Sequence, residues 1–386
     1  MPDSAKALIL PLKKRHIYYV TGFDPRGISF YFSLLKREAS LSKKRKQSQF
    51  YVGKLNTENE HSSTCPLIFE APENFTSEYH LLSILDLIAP YFRQSISQSI
   101  LQALATFWAV LSSGMIFKCL KHSAKFGLFV LYPLMILLLG IALSWGLAKL
   151  VNTQLAPQEY NWVCIPTFLL IFYFFLALLK KTDQFHYIFY LLGDFYFSQT
   201  AVRNKNEALN MRIDMFAKDI ENTLSMTDEN EEILIVGHSS GGLLAIQLMA
   251  KLCERATQEE LSRLSLLTMG NQASLGFLNN AEVFHNNIDT ILKNPGITWR
   301  DVFAPQDVIS SGKLEVNKFF SKQLSNSYQC MSARVRESLT PENYKIIVHK
   351  FFRIHMQYLR SSETGLGFDY FQLLNSPVRL KHYQQK

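Results

Sequence analysis

The sequence predicts an α/β protein: a mostly parallel sheet with helices on both faces, interrupted by a transmembrane helical hairpin. Three observations lead there. Short apolar and β-branched runs alternate with helical periodicities before residue 120 and again after residue 188. One run, Ile-Leu-Ile-Val at 233–236, is apolar at every position, as in a strand covered on both faces. Two uncharged stretches of about 20 residues stand in the middle, at 127–148 and 160–179. Of the 386 residues 48% are hydrophobic and only 19% charged, which excludes a disordered chain.

The first block, 1–120, opens with a β-branched and aromatic run at 16–20. A turn with Gly22, Pro25 and Gly27 follows, then a helical pattern over 28–39. The order is strand, glycine-rich loop, helix. Further strands are expected at 49–52 and 66–70. The spacing of Leu81, Leu82, Ile84, Leu85 and Leu87 predicts a helix over 78–91.

The second block, 121–187, holds the hairpin. Each uncharged stretch would reach about 30 Å as a helix, the thickness of a hydrocarbon core. A connector with Pro157 separates them, and Tyr132, Trp145, Tyr160 and Trp162 lie toward the ends, where amphipathic rings favour the interface. Lys118, Lys121 and Lys125 precede the first stretch, Lys180 and Lys181 follow the second, and the connector holds only Lys149. The positive-inside bias puts both outer flanks in the cytoplasm. Residues 95–117 are also uncharged but richer in Ser, Gln and Thr. They predict a helix lying against the membrane or the domain, and as a third span they would reverse the parity. The N-terminal 16 residues carry too short an apolar run for a secretory signal. Five scattered cysteines, at 65, 119, 164, 253 and 330, argue against a disulfide framework and a zinc site and fit a reducing compartment.

The third block, 188–386, starts with an amphipathic helix at 201–224. The strand at 233–236 leads through a turn at 237–242 into a helix at 243–252. Strands at 264–269, 297–303 and 344–348 complete the set.

Chemistry concentrates at Gly237-His238-Ser239-Ser240-Gly241, a G-x-S-x-G match between a buried strand and a helix. A nucleophile at the apex of such a turn takes a strained backbone conformation that exposes its hydroxyl. Side chains two residues either side would collide, so glycine stands there. The helix N-terminus favours negative charge beside the hydroxyl. Ser239 is therefore the candidate nucleophile. Ser240 suits the role less, since one of its corresponding flanks is His238.

At these residues the chain resembles the α/β-hydrolase superfamily. The likeness is closer to bacterial membrane-anchored members with a G-[FY]-D-P loop, here Gly22-Phe23-Asp24-Pro25. It covers most of the chain outside the hairpin and implies the order nucleophile, acid, histidine. Asp307, in the Pro-containing loop after the strand at 297–303, is the favoured acid, with Asp301 the alternative. His355, past an apolar run and before a helical stretch, is the favoured base, with His349 the alternative. His238 adjoins the nucleophile and is poorly placed as a base, and His285 precedes both acids.

The resemblance implies acyl transfer, with His355 taking the Ser239 proton and Asp307 holding the imidazole. The oxyanion would meet the backbone N–H groups of Ser240 and Phe23. Asp24 is a departure from the apolar loops of many lipases. Arg26 is expected either to neutralise it or to bind an anionic group of the substrate. The expected protein is a membrane-embedded serine hydrolase of the bacterial inner membrane, its hydrolase domain cytoplasmic. It would cleave a carboxylic ester or thioester, including lipid-derived ones. The alternatives are a non-catalytic membrane scaffold with a hydrolase fold and a transacylase. Lys36, Arg37, Lys43, Lys44, Arg45 and Lys46 form a basic cluster suited to anionic membrane lipids, each worth about 1 kcal/mol near the surface. No nucleic-acid motif accompanies the charge, and neither a cofactor nor a metal is expected.

Overall fold

The computed structural model describes residues 11–45, 50–69, 75–155, 162–273, 276, 281–310, 312 and 328–385. The chain folds as two compact units, Met1–Ile88 with Thr200–Lys386, and Ala89–Gln199. The second is wider than the expected 121–187 insertion, because helices on both sides of the hairpin pack with it.

The first unit is α/β with a mixed, mostly parallel sheet of nine strands among the described residues. They are β1 Lys14–Val20, β2 Phe50–Val52, β3 Asn56–Asn59, β4 Ser62–Phe69, β5 Thr76–Leu82, β6 Glu231–His238, β7 Leu264–Met269, β8 Thr298–Phe303 and β9 Tyr328–Ser332. The order is β2-β4-β5-β1-β6-β7-β8-β9, with β3 beside β4. Strands β5, β1, β6, β7, β8 and β9 are mutually parallel, while β2, β3 and β4 pair antiparallel at one edge. The halves β1–β5 and β6–β9 meet where β1 pairs with β6. At such a switch point the loops leaving the carboxyl ends diverge and open a crevice.

Period-2 alternation sorts the side chains to two faces. Ile17, Tyr19, Tyr79, Leu81, Leu234 and Val236 share one face, in a core completed by Tyr31, Leu34 and Leu35 of helix Gly27–Lys44 and by Phe368, Tyr370, Phe371 and Leu374 near the C-terminus. On the other face, Tyr18 Oη meets Thr223 Oγ1 of helix Glu207–Leu224 at 2.6 Å. Helix Ser240–Arg255 is buried over nearly its whole length, against β6, β7 and helices Glu207–Leu224 and Glu282–Leu292.

Several predicted elements change. Residues 78–82 belong to strand β5, and the helix is Leu85–Arg93, started after Ser83, whose Oγ accepts the Leu85 N–H. The apolar residues of that stretch serve two elements in turn, so their joint spacing imitates one helix. The predicted strand at 344–348 lies mostly in helix Pro341–Ile347, where Thr340 Oγ1 accepts the Asn343 N–H and proline stands at the first turn. The last sheet strand is β9 instead. The helix predicted over 201–224 is broken: Ile188–Val202 ends before it, and Asn206 caps Glu207–Leu224 through the Leu209 N–H. The strands predicted at 49–52 and 66–70 fall in β2 and β4. Gln49, Glu70 and, in the basic cluster, Lys46 lie outside the described residues.

In the second unit, among the described residues, two helices are long and apolar enough to cross a membrane, over Ala124–Gln154 and Cys164–Lys181. The first extends beyond the predicted 127–148. Of the predicted 160–179, residues 160 and 161 lie outside the described set. Leu138, Leu139, Leu143, Leu169, Leu170 and Phe174 are all exposed, as side chains facing lipid would be. Helices Ile96–Ser112 and Met115–Lys121 are also long and apolar enough when taken together, bent by 70°. The bend falls at Gly114, whose φ of 64° a side chain would disfavour. Ala103 and Phe107 of the first of these helices pack with Leu137, Leu176, Ile188 and Leu192.

Candidate active site

Ser239 caps helix Ser240–Arg255 with φ 59° and ψ −132°, a positive-φ conformation unusual for a residue with a side chain. The Ser239 N–H donates to the Met269 carbonyl at 3.1 Å, and the Gly242 N–H to the Ser239 carbonyl at 2.9 Å, so the turn is held from both sides. A Cβ at Gly237 would lie 2.4 Å from the Gly241 carbonyl oxygen, and one at Gly241 would lie 2.5 Å from the Val20 carbonyl oxygen. Both obstacles are backbone, which explains the glycines flanking the serine. Gly22 is similarly constrained, since a Cβ there would lie 2.5 Å from the Gly241 amide nitrogen. The loop after β1 thus touches the turn after β6, at the switch point.

Asp307 and His355, 48 residues apart, are brought together in a buried pair, Nδ1 to Oδ2 at 2.8 Å. Asp307 Oδ2 also accepts the Tyr358 hydroxyl at 3.1 Å, and its Oδ1 accepts the N–H groups of Ile309 at 3.1 Å and Ser310 at 3.4 Å. The carboxylate is therefore fully engaged. In the tautomer whose Nδ1–H donates to Asp307 Oδ2, the His355 lone pair falls on Nε2, a buried atom without a hydrogen-bond partner among the described residues. His355 closes the short helix Phe351–His355 and runs into a 3-10 turn, Met356–Leu359, whose tight spacing returns Tyr358 to the same carboxylate.

Sequence reasoning missed two supporting residues. His238 Nε2 donates to the His355 carbonyl at 2.8 Å, with the two rings 4.5 Å apart. Burial, and next the neighbouring His355, hold its pKa well below the ordinary value, so the ring stays neutral and can make this bond. His238 immediately precedes Ser239, and so ties His355 to the turn at Ser239. Tyr358 is the second. Burial, and next the adjacent Asp307, push its hydroxyl well above the usual pKa, keeping it a donor. The adjacency of His238 to Ser239 and the His-x-x-Tyr spacing were visible signals, but their targets lie far away in sequence.

The alternatives are placed elsewhere. Asp301 sits within β8, fully buried, where its Oδ1 accepts from Thr268 Oγ1 at 2.6 Å and from Asn271 Nδ2. Burial raises its pKa to about 7. His349 stands exposed on the turn after helix Pro341–Ile347.

The loop after β1 departs in part from expectation. The Phe23 N–H donates at 2.8 Å to the side-chain hydroxyl of Ser240. The expected second oxyanion donor thus has an internal acceptor from the residue expected to give the first. Asp24 is held by Arg26, Nε to Oδ1 at 2.7 Å and a terminal guanidinium nitrogen to Oδ2 at 2.5 Å, and by the Tyr31 hydroxyl at 2.9 Å. Arg26 also lies 3.8 Å over the Phe30 ring. The pair neutralises Asp24, the first of the two roles expected of Arg26.

Together these groups offer a strained serine, a buried imidazole with an open nitrogen, an oriented carboxylate and a helix N-terminus. Deprotonation of a hydroxyl calls for groups of these kinds, but among the described residues no hydrogen bond joins Ser239 to His355, whose Nε2 has no partner. Compared with known proteins, the chain matches no family model, no curated protein and no solved structure.

Proposed function

We propose that this protein is a membrane-embedded serine hydrolase of the α/β-hydrolase kind, cleaving a carboxylic ester or thioester through an acyl-enzyme. The observation that carries the reading is the joint one at the β6 turn: Ser239 in a positive-φ conformation, with the His355–Asp307 pair tied through His238 to that same turn. The sheet order supports it, since the turn stands at the carboxyl end of β6, beside the switch point, where ligands of α/β sheets bind.

In this reading His355 Nε2 takes the Ser239 proton as the hydroxyl attacks the acyl carbon. The C–O or C–S bond to the leaving group then breaks, and His355 returns the proton to the departing oxygen or sulfur. Asp307 fixes the imidazole and balances the charge it gains. The Ser240 N–H, at the start of its helix, faces the growing oxyanion charge, and the Phe23 N–H joins it when the Ser240 hydroxyl turns away. A hydrolase domain on the cytoplasmic side of a bacterial inner membrane, acting on lipid-derived acyl groups, fits the two apolar helices and their lysine flanks.

The test is activity-based labelling of the full chain in membranes with a fluorophosphonate probe. Wild type is expected to label and Ser239→Ala to be silent. Equal labelling of the variant would overturn the assignment. A chain-length series of esters and thioesters then reads the acyl preference, and an added acceptor alcohol separates hydrolysis from transfer.

A further inference from the structure

We propose that His16, Glu78 and His80 form a binding site for one divalent transition-metal ion, with zinc the ion whose geometry they fit. The three lie on adjacent parallel strands. In the β1–β5 register His16 stands opposite Glu78 and Tyr18 opposite His80, so period-2 alternation puts all three side chains on one face. Their ligand atoms all lie within 4.8 Å of one another.

The nitrogens are aimed inward. His16 Nδ1 is 3.4 Å and His80 Nε2 is 3.9 Å from the same oxygen, Glu78 Oε2. Both histidines are more than nine-tenths buried, and both of these nitrogens lack a hydrogen-bond partner among the described residues. A tetrahedral ion with bonds of 2.0–2.1 Å holds its donor atoms about 3.3 Å apart. Closing the cluster onto an ion asks for about 0.6 Å at the longer Glu78 contact and for no more than about 1.5 Å between any two of the ligand atoms.

The outer ring supports the same reading. A metal-binding imidazole usually gives its second nitrogen to a carboxylate, which fixes the tautomer and the ring. Here His16 Nε2 faces Glu231 Oε2 at 3.4 Å, and His80 Nδ1 faces Glu58 Oε1 at 3.7 Å. Glu58 is itself oriented by the hydroxyls of Ser62 at 2.7 Å and Thr64 at 2.6 Å. The Tyr18 ring stacks on His80 with centroids 4.2 Å apart. In the tautomers that carry their protons on the outer nitrogens, both inner lone pairs point at Glu78, an arrangement that a cation completes. A mixed imidazole and carboxylate set suits zinc. Glu78 is half-buried, leaving a solvent-side approach for a water as fourth ligand.

Lys14 is the competitor. Its ammonium lies 3.0 Å from Glu78 Oε2 on a partly exposed side chain, and an arriving ion displaces it. The site is remote from the acyl-transfer chemistry. His16 pairs with Ile233, six residues before Ser239, which corresponds to about 20 Å along the strand. The ion would pin β1 to β5 rather than touch the substrate.

The experiment uses the full chain in detergent, stripped with a chelator and titrated calorimetrically with zinc chloride. Cobalt(II) absorption reads the coordination geometry. Wild type is expected to bind one equivalent of zinc and to give the intense visible bands of tetrahedral cobalt. Glu78→Gln should abolish both, and Glu231→Gln should weaken zinc about 10- to 100-fold. Lys14→Ala should bind more tightly than wild type, an outcome that damage to the fold would not produce. Circular dichroism and gel filtration check that each variant is folded. Wild type failing to bind zinc, or a folded Glu78→Gln binding as wild type does, would overturn the proposal. Fluorophosphonate labelling of Ser239 is expected to be unchanged throughout, so failure here leaves the hydrolase reading standing.

Discussion

The side-chain hydroxyl of Ser240 lies 2.8 Å from the Phe23 amide nitrogen and accepts its proton. The contact joins the turn after β6 to the loop after β1, and it occupies an N–H that acyl transfer would need. Removing the hydroxyl by Ser240→Ala deletes this hydrogen bond from the resting protein, which costs about 0.5–1.5 kcal/mol. The same change removes an acceptor that competes with an oxyanion for that N–H. The expected outcome is a lower Tm together with fluorophosphonate labelling at least as fast as wild type. Labelling as silent as that of Ser239→Ala would refute this role.

Asp307 holds His355 in one tautomer through the 2.8 Å bond to Nδ1. Asp307→Asn keeps the shape but lets the ring proton move to Nε2, the nitrogen that must accept. The rate of ester hydrolysis is expected to fall by about 10⁴-fold with little loss of folding. Tyr358→Phe removes only the 3.1 Å bond to the same carboxylate and should cost about 1 kcal/mol, a several-fold loss in kcat/KM. Steady-state kinetics on one ester reads both, and equal effects from the two variants would count against the proposed division of roles.

Asp301 gives a pH signature that belongs to the fold. Its pKa is raised from the ordinary 3.8 to about 7, chiefly by burial. Folding therefore holds a proton that the unfolded chain has already released between these values. The contribution to stability is complete below about pH 4 and is lost as pH rises to about 7, by at most about 1.4 kcal/mol per pH unit. Asp301→Asn should flatten that part of a Tm-against-pH curve measured in detergent. An unchanged slope would show that other groups set it.

Arg15 is fully buried and carries the C-terminal segment. It donates to Glu232 at 2.8 Å and to the carbonyls of Leu373, Leu374, Ser376 and Val378 at 2.6–3.2 Å. Glu232 in turn accepts from Ser265 Oγ at 2.8 Å and from the Leu380 N–H at 2.9 Å. Arg15→Met leaves a buried carboxylate without its cation and is expected to cost about 3–5 kcal/mol. Limited proteolysis should then cut first near residues 373–380. Adding Glu232→Gln should recover part of the loss, and no recovery would argue that the carbonyl contacts carry the effect.

Local pattern was a good guide wherever one element's residues served one face. The run at 233–236 is a central strand because every position is buried, and the glycines around Ser239 are required by backbone atoms of the same turn and of its neighbour. It was a poor guide where two elements shared a run. Residues 78–91 mix a strand and a helix start, and Tyr344 and its neighbours carry strand-like side chains under a helix cap at Thr340. The candidate metal ligands escaped notice for a related reason. Ligand spacing is legible in a sequence where the ligands stand close together in the chain, whereas His16 and His80 meet only through the pairing of β1 with β5.

By itself the sequence determined the alternating α/β pattern, the two apolar helices and the strained turn at Ser239, because each depends on residues near one another in the chain. The tertiary structure alone decided which histidine meets Asp307, that His238 and Tyr358 support the pair, that Ser240 takes the Phe23 N–H, and which strands bring His16 beside Glu78. Those choices rest on sheet register and loop closure across tens to hundreds of residues, where a shift of one position turns a side chain to the opposite face.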